Sequence, residues 1–202
     1  MNKTFILVIG MLILGLCART QRHYGLKAGV NLANQVKTIS LPQVPSITQD
    51  TKPIVGYQLG AFYKATLHNR LLVAAEANFS VIGSGMTLTT PDGKSYNAHE
   101  KLGYIEFPLT IQYKMSKIYF GVGPGVEFKL FSKVTNFEGS SYDIPYYKTL
   151  DAAGNLLAGY SVSKKLDLNI RYNRGLVNLY KDPGYTKTNN RFFNLSMLYA
   201  LK

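Results

Sequence analysis

Gly103-Tyr-Ile-Glu-Phe-Pro-Leu-Thr-Ile-Gln-Tyr-Lys-Met115 is the stretch that decides how this chain folds. Gly103, Ile105, Phe107, Leu109, Ile111, Tyr113 and Met115 fall on one side of a two-residue repeat. Tyr104, Glu106, Pro108, Thr110, Gln112 and Lys114 fall on the other. A period of two sends successive side chains to opposite faces of a strand, whereas a helix needs apolar residues three and four apart. One face here is apolar almost throughout, and the other is polar.

The pattern recurs on both sides of this segment. Tyr24, Leu26, Ala28, Val30 and Leu32 alternate with Gly25, Lys27, Gly29 and Asn31. Val55 to Tyr63, Val73 to Val81 and Ile118 to Phe128 repeat it, as do Leu156 to Val162, Leu166 to Tyr172 and Phe193 to Leu201. That makes eight strands. Pro124, on the apolar face of the fifth, removes a ladder donor, so a local bulge is expected there.

Connections between these strands alternate in length. Tight ones fall around His68-Asn69, Ser116 and Ser163-Lys164. Long ones run over residues 34–53, 83–98, 132–147 and 177–189, with turn formers at Pro91-Asp92-Gly93 and Asp182-Pro183-Gly184. Strict alternation of short and long connections marks a transmembrane barrel, whose periplasmic turns are short and whose extracellular loops are long. The polar faces support a membrane over a soluble barrel. They mix glycine with Asn, Ser and charges of both signs, a combination suited to a narrow lumen better than to a wet surface. The expected fold is all-β, an eight-stranded antiparallel up-and-down transmembrane barrel with four long extracellular loops.

The first twenty residues read as an export signal. Lys3 provides the positive start, Phe5 to Leu16 a short apolar run, and Ala18-Arg19-Thr20 a small-x-small cleavage site before Gln21. The mature domain then spans residues 21–202. Cys17 is the one cysteine; it raises a competing lipoprotein signal, although Leu16 precedes it where a small residue is wanted. The formal charge of +12 comes from Lys and Arg scattered singly, with no basic run longer than Lys164-Lys165. Nucleic acid is therefore not expected as a partner; outer-membrane lipid is.

Several motifs resemble one family, the outer-membrane β-barrel domain proteins of Bacteroidetes-type bacteria, the PorT-like group. Tyr24-Gly-Leu-Lys-Ala-Gly-Val-Asn-Leu-Ala33 is similar to its opening strand, and Tyr104-Ile-Glu-Phe-Pro-Leu to its aromatic-x-Glu-x-Pro-Leu strand. Gly121-Val-Gly-Pro-Gly125 resembles its glycine-rich fifth strand, and Arg171-Tyr-Asn-Arg-Gly-Leu176 its penultimate one. The resemblance covers the whole mature chain and implies location and fold rather than an activity.

An eight-stranded barrel has an interior that side chains just fill, so buried charges there must be paired. Lys27, Lys64, Glu76, Glu106, Glu127, Asp167 and Arg171 are expected to form a structural polar network in the lumen. No metal spacing, phosphate loop or nucleophile elbow is present, and no cofactor is expected. His99-Glu100 and Asp92 near the extracellular rim are the sole catalytic hint, and the chain reads as non-enzymatic. The expected function is that of a structural or accessory barrel, working alone or as a subunit of a larger secretion or assembly complex of the envelope. A narrow small-solute channel and a surface-loop binding protein or lipid enzyme are the alternatives. Tyr142, Tyr146 and Tyr147 in the third loop form the expected partner surface, or else part of the interfacial aromatic belt.

Overall fold

Gly25 pairs with Phe62 on one side and with Ala200 on the other, so the first strand holds the second strand of the ring and also the last. This double pairing closes the sheet. The computed structural model describes residues 22–40, 47–89, 95–135, 140–181, 184 and 186–201. The expected signal segment 1–20, Cys17, the Pro91-Asp92-Gly93 turn and Asp182-Pro183 lie outside the described residues.

Ten strands follow one another: β1 (Arg22–Ile39), β2 (Ile47–Asp50), β3 (Ile54–His68), β4 (Leu71–Thr89), β5 (Ser95–Met115), β6 (Ile118–Thr135), β7 (Ser141–Asp143), β8 (Leu150–Ser161), β9 (Leu166–Gly175) and β10 (Thr186–Ala200). The eight long ones form the ring β1-β3-β4-β5-β6-β8-β9-β10, each pair antiparallel, with β10 returning to β1. Closure removes the sheet edges that would otherwise invite aggregation. The two short strands, β2 and β7, pair with the upper ends of β1 and β6. Among the described residues no helix is long and apolar enough to cross a membrane.

Burial shows which face looks outward. Leu26, Val30, Tyr57, Leu59, Phe107, Ile111, Val122, Leu156, Ile170, Leu195 and Met197 are all exposed, each on the outer wall of its strand. A continuous apolar belt of this extent belongs in lipid. On β5 the outward apolar run from Ile105 to Met115 matches the roughly 9–11 residues that a tilted strand needs to cross a bilayer. Above it, Lys101, His99 and Asn97 take the outward positions and return the wall to water.

Two expectations need correction. The connection expected over residues 83–98 is much shorter than its sequence suggests, because β4 continues to Thr89 and β5 starts at Ser95, whereas the other three remain long, over 40–53, 136–149 and 176–185 between ring strands. Apolar alternation stops where the lipid stops, but backbone pairing goes on above it. Pro124 makes no bulge either. Pro108 opposite Gly125 and Ile111 opposite Val122 keep one register across it. The irregularity lies higher, where Gly103 faces Phe131 and Tyr104 faces Lys129, leaving Leu130 as the extra residue. At this site a Cβ on Gly103 would lie 2.2 Å from the Phe131 ring, so the ring occupies the glycine's missing side chain.

Candidate functional site

Side chains occupy the middle and the extracellular part of the lumen, and its chemistry changes along the axis. At mid-height Glu76 of β4 receives three donors. Lys27 Nζ lies 2.9 Å from Oε2, Asn78 Nδ2 donates to Oε2 at 3.1 Å, and Arg171 Nη2 pairs with Oε1. All three residues of the Lys27–Glu76–Arg171 triad are almost wholly buried. In such a setting charges persist only when paired and hydrogen-bonded. Alternation delivers them inward from β1, β4 and β9, three strands that are distant in sequence.

Glu106 and Glu127 are treated differently. They are direct cross-strand partners on β5 and β6, and Glu127 is in turn partner to Asp151 on β8. Three buried carboxylates thus form a row across neighbouring strands. Their partners are neutral. Gln58 Nε2 donates to Glu106 Oε2 at 2.8 Å, and Asn173 Nδ2 to Glu127 Oε1 at 2.8 Å. The backbone N–H of Ala152 reaches Asp151 Oδ1 at 2.7 Å. One oxygen of each carboxylate has no hydrogen-bond partner among the described residues.

Near the short turns Lys64 Nζ pairs with Asp167 at 2.6 Å and lies 4.5 Å above the Tyr119 ring. Gly159 stands opposite Tyr119, and a Cβ there would fall 2.0 Å from the ring, so only glycine admits this tyrosine to the lumen.

The extracellular mouth is closed by an apolar plug. Ala33, Ile82, Leu102, Tyr104 and Phe192 from the strands meet Ile144, Tyr147 and Leu179 from the connections. Tyr147 donates to Glu100 Oε2 at 3.1 Å, and its ring meets Tyr180 edge-on with centroids 5.1 Å apart. Burial, reinforced by the Glu100 carboxylate, pushes the Tyr147 hydroxyl up, so it remains a donor. Lys129 Nζ donates to Tyr147 O at 2.9 Å and Ser132 Oγ to Ile144 O at 2.7 Å, tying the plug to β6.

All seven residues expected in the lumen lie inside the ring: Lys27, Lys64, Glu76, Glu106, Glu127 and Arg171 are buried, and Asp167 is half-buried. Five of them pair directly by charge, while Glu106 and Glu127 rest on amides instead. The sequence reading missed these amides and Asp151, since Gln58 and Asn173 look like any polar inward position. Of the three loop tyrosines, Tyr142 and Tyr146 are exposed, but Tyr147 is buried and cannot meet a partner. His99 and Glu100, as consecutive strand residues, point to opposite faces: His99 to solvent and Glu100 beneath Tyr147. They do not converge on a common point.

No curated protein matches the sequence. Among solved structures the chain is similar to Ail, the attachment invasion locus protein of Yersinia pestis, at 12% identity over 90% of this chain and 99% of that one, with a TM-score of 0.46. It is similar to Neisserial surface protein A at 12% identity over 87% and 96%, TM-score 0.47. It is also similar to the outer membrane protease OmpT of Escherichia coli at 9% over 89% and 96%, TM-score 0.40. The family described as outer membrane protein beta-barrel domain matches residues 18–181, most of the chain. The chain therefore belongs to the outer membrane protein β-barrel domain family, and its place is the bacterial outer membrane.

Proposed function

We propose that this barrel is a non-enzymatic accessory component of the outer membrane, a subunit of a larger secretion or assembly complex of the envelope. We assign it to the PorT-like group of Bacteroidetes-type barrels. The observation that carries the reading is a lumen blocked at its middle and at its extracellular mouth. The Lys27–Glu76–Arg171 triad occupies its middle and the Tyr147 plug its extracellular mouth, so the barrel acts through its two ends and its outer wall. The motif strands at Tyr24–Ala33, Tyr104–Tyr113 and Arg171–Leu176 support the narrower grouping. At the extracellular end, Tyr142 and the Tyr146–Tyr180 stack, with ring centroids 5.7 Å apart, offer aromatic contact area to a companion.

Mild-detergent purification of tagged protein from native outer membranes, with mass spectrometry of everything retained, tests the reading. A stoichiometric envelope protein is expected. A barrel recovered alone across several detergents would overturn it.

A further inference from the structure

We propose that the periplasmic mouth of the barrel is a binding cup for an acidic, partly apolar peptide segment of a partner protein, which names the contact that the accessory-subunit reading requires. A cavity of about 510 Å³ opens between the short turns. Its walls come from inward positions of all eight ring strands, among them Lys64 of β3, Gln112 of β5, Tyr119 of β6, Asp167 of β9 and Leu198 of β10. The cup therefore lies within the ring and opens along the barrel axis. A lipid in the surrounding leaflet touches the outer wall and does not face it.

Charge and polarity then select the occupant. Lys114, Lys164 and Lys165 stand on the rim with His23, and Asp167 is the one acid among the lining residues. That acid is already engaged, 2.6 Å from Lys64. Three lysines are left around the rim of a concave mouth, Lys114 half-buried and Lys164 and Lys165 exposed, and a cleft lined by one sign of charge focuses potential. Arg70 and Lys117 in the adjoining turns add to it. The floor is different: Phe62, Leu198 and Ala200 form a small buried apolar cluster. A cationic rim over an apolar floor matches carboxylates flanking an apolar side chain. A lone inorganic anion would leave most of this volume unfilled, given the ~30 Å³ that one water occupies in the liquid.

The test uses the purified barrel in detergent and a fluorescent six-residue peptide with acidic ends and two central apolar residues. Saturable binding is expected, weakening steeply with salt. The triple variant Lys114→Glu, Lys164→Glu, Lys165→Glu changes only rim residues and should remain folded, as read from its heat-modifiable gel migration. It should bind the peptide at least tenfold more weakly. Three results would overturn the cup: no binding by the native barrel, equal binding by the triple variant, or equally effective competition by inorganic phosphate. The same variant separates this inference from the reading it rests on. A native companion retained on the triple variant removes the cup but keeps the complex; peptide binding without any native companion keeps the cup and removes the complex.

Discussion

Glu106 and Glu127 stand directly opposite each other on β5 and β6, both buried in the lumen, and each is hydrogen-bonded by an amide rather than a cation. Two carboxyl groups buried side by side without a cation are destabilising, through repulsion when both are charged and through desolvation and the uptake of a proton when they are not. Stability is therefore held below what the fold allows at this place. Glu127→Gln should raise the resistance of the folded barrel to urea in lipid vesicles at neutral pH by roughly 1 kcal/mol. A loss of stability instead would show that the carboxylate has a favourable partner.

Glu76 predicts the reverse. Its removal takes from the buried Lys27 and Arg171 the carboxylate with which both pair directly. Breaking a buried pair in this way costs about 3–5 kcal/mol. Glu76→Gln should thus unfold at markedly lower urea than the native barrel, and much lower than Glu127→Gln. Similar midpoints for the two variants would contradict the assignment of Glu76 as the hub.

The plug can be opened from outside. Tyr147→Ala removes the ring that meets Tyr180 and Tyr146 and the hydroxyl that reaches Glu100. Protease added to intact cells should then cleave within residues 140–149 while leaving the barrel undigested. Tyr147→Phe keeps the ring and loses one hydrogen bond, worth about 1 kcal/mol, so it should resist protease nearly as the native protein does. Equal cleavage of all three would mean that Tyr147 does not hold this segment down.

On the outer wall, depth sets the penalty. Ile111→Arg places a charge inside the apolar belt and should cost about 2–4 kcal/mol in vesicles. Lys101→Glu, an outward position above the belt, should leave the unfolding midpoint unchanged. A belt-position charge without cost would mean that this wall does not face lipid.

The membrane-spanning part of this fold was readable because lipid imposes a rule on every second residue. The run from Ile105 to Met115 shows it most clearly: each outward residue must be apolar, and the alternation announces strand, face and span together. That rule lapses above the belt. His99, Lys101 and Lys133 are ordinary outward residues of paired strands, and their sequence reads as loop. In the lumen, charged residues were visible but their partners were not, because Lys27, Glu76 and Arg171 meet only through ring closure across 49 and 95 positions of chain. Tyr147 looked like a surface aromatic beside Tyr146; only the plug distinguishes them, by burying one and leaving the other in solvent.

Planar-bilayer recording of the purified native barrel tests most directly whether the protein works through its ends rather than through its lumen. Silence is expected across the full voltage range, since both the Glu76 triad and the Tyr147 plug stand in the path. Reproducible unit conductance steps from the native protein would contradict the closed lumen and make the barrel a channel.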